Sequence, residues 1–173
     1  HCREGDLFMI VNIQPPARLG GTVTAPPSKS MAHRAVLCAA LAQGTSHIEN
    51  LEFSKDISAT LAAAGQLCAR VETSADDALV EGLGKFRPVT GPVDCCESGS
   101  TLRFLIPLAS LTGQAVTFVG RGRLMERPQS VYAQLYRERN LHFEQASAGL
   151  TVAGTLPSGE YTVAGNVSSQ FIS

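Results

Sequence analysis

Pro26-Pro27-Ser28-Lys29-Ser30-Met31-Ala32-His33-Arg34-Ala35-Val36-Leu37-Cys38-Ala39-Ala40-Leu41-Ala42-Gln43-Gly44 is the stretch on which the fold turns. Prolines stiffen the approach, and Ser28 offers an oxygen to the free amides of a first helical turn. An Ala- and Leu-rich run follows and Gly44 stops it, so a helix is predicted over about 29–43. Strand-like residues 22–25 precede it and 46–50 follow. Ser54 then caps a second helix with Ile57, Leu61, Ala64 and Cys68 at helical spacing, and strands are predicted at 70–73 and 78–83.

About 70 residues later the chain repeats itself. Residues 92–96 read as a strand, Glu97-Ser98-Gly99-Ser100 opens a helix to Leu111, and 115–120 is a strand. Arg127-Pro128 starts a helix with proline at its first position, and strands close the series at 141–145 and 150–153. Ser28 and Ser30 correspond to Ser98 and Ser100, Ile48 to Val119, Glu72 to Glu144 and Gly82 to Gly154, an offset of 70 to 72 residues. A third copy begins with a strand at 161–164 and a helix entry at Gly165-Asn166-Val167-Ser168-Ser169. The expected fold class is α/β: repeated βαβαββ units, at 21–91, 92–157 and the start of a third at 158–173, packed about a pseudo-threefold axis and incomplete in this chain. A strand at 7–13 opens the chain before Gln14-Pro15-Pro16. The chain begins at His1 without methionine and stops at Ser173 inside the run 167–173, which reads as a piece of something longer.

Composition narrows the partners. Fourteen Lys plus Arg against fifteen Asp plus Glu leave a net charge of -1, with 44% hydrophobic residues. That balance excludes a disordered chain and supplies no basic excess for a nucleic-acid backbone or a membrane surface. The cations are uneven, however: only Lys29, Lys55 and Lys85 are lysines, and six of eleven arginines lie between Arg103 and Arg139. Guanidinium forks suit phosphate and carboxylate, although a solvated arginine-rich surface has the same composition. The five cysteines, Cys2, Cys38, Cys68, Cys95 and Cys96, form no CxxC pair and have no histidine at zinc spacing, which points to a reducing cytoplasm and no metal. His33, His47 and His142 show no triad or metal spacing and are expected to be satisfied or on the surface.

Each unit sets a small hydroxyl-bearing motif where a strand hands over to a helix: Ser28-Lys29-Ser30, Ser98-Gly99-Ser100 and Val167-Ser168-Ser169. Serine is a good cap at any helix, yet a lysine in a first turn opposes the helix dipole, so Lys29, one turn before Arg34, points to an anionic partner. Gly120-Arg121-Gly122-Arg123-Leu124-Met125-Glu126-Arg127 presents further guanidiniums. Arg103, on an otherwise apolar helix, needs a partner and reads first as structural.

Taken together, Pro27-Ser28-Lys29-Ser30 with Arg34, Glu97-Ser98-Gly99-Ser100-Thr101-Leu102-Arg103, Glu126-Arg127-Pro128 and Gly165-Asn166-Val167-Ser168-Ser169-Gln170 resemble the 3-phosphoshikimate 1-carboxyvinyltransferase (EPSP synthase) family over residues 22–173. The resemblance implies transfer of the carboxyvinyl group of phosphoenolpyruvate to the 5-hydroxyl of shikimate 3-phosphate, without metal or organic cofactor. It implies Lys29 as a catalytic residue touching both substrates, Ser30 and Arg34 on the shikimate ligand, Gly99 and Arg127 on phosphoenolpyruvate, Ser168 and Ser169 on the 3-phosphate, and Gln170 between the two. It also implies that residues 1–20 belong to a second domain, that 21–173 is a truncated first domain, and that the acid/base carboxylate comes from a missing half. This chain would then be inactive alone unless a C-terminal half or a symmetry mate completes it. Glu97 stands where other members often have Asn. The alternatives are an enolpyruvyl transferase acting on a UDP-N-acetylglucosamine-type nucleotide sugar, and a non-catalytic anion-binding module.

Overall fold

Local capping sets the helix starts. In the computed structural model, which describes residues 12–15, 18 and 20–173, helix α1 spans Lys29–Leu41, and the Ser28 side chain accepts from the Met31 amide. Helix α2, Lys55–Leu67, begins the same way, with Ser54 accepting from the Ile57 amide. Between them runs β1, Gln43–Ile48, and after them β2, Ala69–Thr73, and β3, Ala78–Leu83. These strands form one antiparallel sheet in the order β1-β3-β2. Alternate β3 residues Ala78 and Val80 point into the core, against which α1 and α2 pack their Val36, Ile57 and Leu61 faces.

α1 stops at Leu41, two residues earlier than the sequence suggests, because the backbone at Ala42 is already extended and Gln43 pairs with Leu83. The crossing is close. A Cβ on Gly82 would lie 1.8 Å from the Ala42 carbonyl oxygen, so a residue without a side chain is required there.

The second sheet has the order β4-β5-β7-β6, from Val93–Asp94, Val116–Val119, Gly149–Ala153 and His142–Ala146; β4 runs parallel to β5 and the rest are antiparallel. Val116, Phe118, Leu150 and Val152 form its buried face. Helix α3, Gly99–Ala109, and helix α4, Ser130–Glu138, accompany it. α3 carries Pro107, which has no amide to give the Arg103 carbonyl. Two tyrosines one turn apart on α4 compensate: the Tyr132 hydroxyl donates to the Arg103 carbonyl at 2.8 Å, and the Tyr136 hydroxyl to that of Ile106 at 2.9 Å. Burial pushes both phenols up from their ordinary value, so they stay protonated donors. Burial likewise raises the Cys95 thiol to about 12, and Cys95 and Cys68 behave as small core hydrophobes while Cys38 is exposed.

Several expected elements differ. Residues 22–25 and 161–164 form no strand: Val23 is 89% exposed and neither segment pairs with a strand among the described residues, so a β-rich composition alone does not make one. Pro128 does not open α4. The chain turns from Arg121 through Arg127, and the helix begins at Ser130 with Gln129 as its cap residue. The strand expected at 92–96 shortens to Val93–Asp94, because Cys96 takes a left-handed backbone, φ 50°, which turns the chain into α3. Its amide donates to Asp94 and its carbonyl accepts from the Arg121 amide, 2.7 Å in each case. The third helix entry is a single 3-10 turn, Ser169–Phe171. The strand expected at 7–13 lies mainly outside the described residues; Asn12 and Ile13 have no regular structure.

Candidate active site

The start of α1, the start of α2, the turn into α3, the loop after β5 and the 3-10 turn converge on one open cleft of about 380 Å³. Of the sequence-derived candidates, Lys29, Ser30, Gly99, Arg127 and Gln170 line it. Arg34, Ser168 and Ser169 do not. Arg34 bonds the Ser30 carbonyl at 2.9 Å and hydroxyl at 2.5 Å, reaches the Ser173 hydroxyl at 2.5 Å, and stacks 5.0 Å from the Phe104 ring centre. Ser168 caps the 3-10 turn by accepting from the Gln170 amide at 3.3 Å, while Ser169 is exposed.

The cleft also holds His33, Asp56, Glu97 and Ser100, which the motif reading did not single out as ligand groups. Asp56 is decisive for the electrostatics, because it forms an ion pair with Lys29 Nζ. Lysine at a first helical turn is therefore compensated within the fold. Two cations, Lys29 and Arg127, and two carboxylates, Asp56 and Glu97, share the lining, so an anion entering the cleft must compete with Asp56 for Lys29. Asp56 sits in the first turn of a capped helix, where a carboxylate suits the dipole, so its sequence position alone does not reveal its second role.

Gly99 lies buried beside Arg127. A Cβ at position 99 would come within 2.8 Å of Arg127 Nη1, so the missing side chain is what lets the guanidinium settle over the start of α3. Gln145 on β6 holds the loop carrying Arg127, donating to the Met125 and Arg127 carbonyls at 2.7 and 3.0 Å. On the other side, Arg103 orients Gln170. Arginine only donates, so its bond at 2.6 Å fixes the Gln170 carbonyl oxygen and leaves the amide nitrogen to donate to Ser100 at 2.7 Å. Burial and the nearby Arg127 both lower the Arg103 value, and its guanidinium stacks 4.9 Å from the Phe171 ring centre. The partners of Arg103 are thus two glutamine carbonyl oxygens, those of Gln129 and Gln170, and no ion pair with it is seen among the described residues.

His47 and His142 are surface residues beside carboxylates. His33 is 1% exposed and, among the described residues, bonded on one nitrogen only. Among the described residues no group of three or more His, Cys, Asp or Glu side chains could hold a metal ion, and no helix is long and apolar enough to cross a membrane.

Fold and cleft together define an α/β protein whose helix starts gather two cations, Lys29 and Arg127, and two carboxylates, Asp56 and Glu97, in one cleft. The chain belongs to the EPSP synthase (3-phosphoshikimate 1-carboxyvinyltransferase) family, whose model matches residues 13–173. It is 43% identical over 161 residues to a 3-phosphoshikimate 1-carboxyvinyltransferase of Clostridium perfringens, covering 91% of this chain and 38% of that protein. The counterpart from Clostridium kluyveri is 43% identical over 159 residues, covering 91% and 37%. In fold the chain is similar to EPSP synthase from Acinetobacter baumannii, with a TM-score of 0.69 and 23% identity over 78% of this chain and 32% of that one. The chain thus spans well under half the length of the relatives it matches.

Proposed function

We propose that this chain supplies one wall of an active site that transfers the carboxyvinyl group of phosphoenolpyruvate to the 5-hydroxyl of shikimate 3-phosphate. The observation that carries the reading is the meeting of Lys29, Arg127 and the Gly99 helix start in one cleft. Lys29 bridges the two substrates, Ser30, Arg34, Ser168 and Ser169 hold the shikimate ligand, Gly99 and Arg127 receive phosphoenolpyruvate, and Gln170 sits between them. In the reaction the 5-hydroxyl oxygen bonds to C2 of phosphoenolpyruvate as its proton leaves and another proton joins the methylene carbon. Loss of a methyl proton then expels inorganic phosphate.

Bringing two polyanions together requires a positive field, and the cleft of this chain has as many carboxylates as cations. We therefore place further basic groups and the acid/base carboxylate outside these 173 residues. Residues 1–20 go with a second domain, and the remainder makes repeated units about a pseudo-threefold axis, the third incomplete. A cytoplasmic location belongs to the same reading. Titrating the chain with shikimate 3-phosphate should shift the amide resonances of Ser30, Gly99 and Gln170 without phosphate release from phosphoenolpyruvate. Response only to a UDP-N-acetyl sugar, or turnover matching that of an intact relative, would overturn the proposal.

A further inference from the structure

Two rungs join α1 to α2, each one helical turn from the other. Lys29 pairs with Asp56 at the rim, and four residues on in both helices His33 Nδ1 lies 2.7 Å from the Thr60 hydroxyl in the interior. The inner rung continues. Thr60 Oγ1 is 2.7 Å from Thr101 Oγ1 on α3, and Thr101 Oγ1 is 2.6 Å from the hydroxyl of Ser98, which caps α3. Both threonine hydroxyls also approach the Asp56 carbonyl, at 3.2 and 3.4 Å. All four side chains, His33, Thr60, Thr101 and Ser98, are no more than 1% exposed. His33 Nε2, by contrast, has no hydrogen-bond partner among the described residues, and His33 lines the cleft.

A buried ring nitrogen without a partner costs stability that an apolar side chain would not. Packing alone therefore does not account for an imidazole here. We propose that His33 is a positioning residue: through Thr60 and Thr101 its neutral ring ties the Ser98 start of α3 to the Lys29 start of α1, so that the two sides of the cleft move as one body. This rests on the cleft being the substrate site proposed above.

The direction of the Thr60 hydroxyl is coupled to the ring. With the proton on Nδ1, the ring donates to Thr60, Thr60 donates onward to Thr101 or the Asp56 carbonyl, and Nε2 is a bare acceptor. With the proton on Nε2, Thr60 donates to Nδ1 and no longer to Thr101 or that carbonyl, while Thr101 still donates to Ser98. A proton on both nitrogens leaves Thr60 no acceptor at the ring. Burial opposes that charge, as do Lys29 and Arg34 on α1, while Asp56 on α2 favours it; α3 offers only the edge of Phe104.

Ligand-free chain provides the first test. Long-range proton–nitrogen spectra should show His33 neutral, and Thr101→Val, two links away on another helix, should change its tautomer ratio at least roughly twofold. An unchanged His33 in that variant would refute the coupling. The second test follows phosphoenolpyruvate binding in the presence of shikimate 3-phosphate. His33→Asn, which keeps a polar nitrogen near Thr60, should stay within about threefold of the parent, and His33→Leu should lose roughly tenfold. Equal binding by all three would refute positioning. Should His33→Leu not fold, Thr101→Val takes its place with the same expected loss. If the parent binds neither substrate while the tautomer coupling holds, the substrate reading fails and the tie between the helices stands.

Discussion

The starts of α1 and α3 have nearly the same local geometry. Ser28 has φ −76° and ψ 108°, Ser98 has φ −80° and ψ 103°, and each hydroxyl accepts from the amide three residues on. Their surroundings separate them. Ser28 is exposed and its bond is long, 3.4 Å, whereas Ser98 is 1% exposed, its bond is 3.1 Å, and it also bonds the Thr101 hydroxyl. The first start presents a charge, Lys29; the second presents bare backbone at Gly99 with Arg127 over it. One local device therefore serves two purposes, because the groups packed against it differ.

The largest expected effect concerns the charge. Lys29→Met should weaken binding of shikimate 3-phosphate by roughly a hundredfold, as expected for a lost charge-assisted contact to phosphate. Its thermal midpoint should change little, since the Lys29–Asp56 pair is half-exposed. Calorimetric titration and a melting curve decide this; a collapsed fold would make Lys29 structural.

Capping should split next. Ser98→Ala is expected to lose about 2 kcal/mol in urea unfolding, because the buried Thr101 hydroxyl loses its shortest bond along with the cap, and Ser28→Ala no more than about 1 kcal/mol. Equal losses would erase the distinction between the two starts.

A pH series sharpens it further. Burial holds the His33 value below its ordinary 6.5, so the unfolded chain takes up the proton before the folded one. His33 thus leaves stability intact above about 6.5 and erodes it as pH falls from there toward the folded value. The urea midpoint of the parent should drop over that window more than that of His33→Asn. Parallel profiles would show that His33 does not titrate in this way.

The smallest effect on stability belongs to Gly99→Ala. Its Cβ meets only the flexible end of Arg127, so the unfolding free energy should move by less than about 1 kcal/mol. Phosphoenolpyruvate binding should fall while shikimate 3-phosphate binding holds; equal loss of both, read by titration, contradicts the assigned roles.

Much of this was legible in the residues. The capping serines and the apolar helix faces follow rules that act within a few residues, so α1, α2, α3 and most strands fell near their expected places. Errors came where a neighbour decides: residues 22–25 had strand composition but no partner among the described residues, and Pro128 suited a helix start that the Arg121–Arg127 turn displaced. In the cleft, Lys29, Ser30, Gly99, Arg127 and Gln170 were named from their motifs, whereas Asp56, Ser100 and His33 were not. A carboxylate in a first helical turn and a histidine in an apolar helix each have an ordinary local explanation, and nothing in their spacing reveals what lies across the gap.

By itself the sequence determined the α/β class, the family, and which helix starts carry polar groups, because caps, periodicity and motifs are short-range properties of the chain. Only the tertiary structure decided that Lys29 is opposed by Asp56, that Arg103 sets the Gln170 amide, and that His33 reaches Ser98 through two threonines. Apart from the Thr101–Ser98 link, those are pairings between residues 27 to 67 positions apart. Charge balance and hydrogen-bond direction depend on distances of about 3 Å, which folding alone establishes.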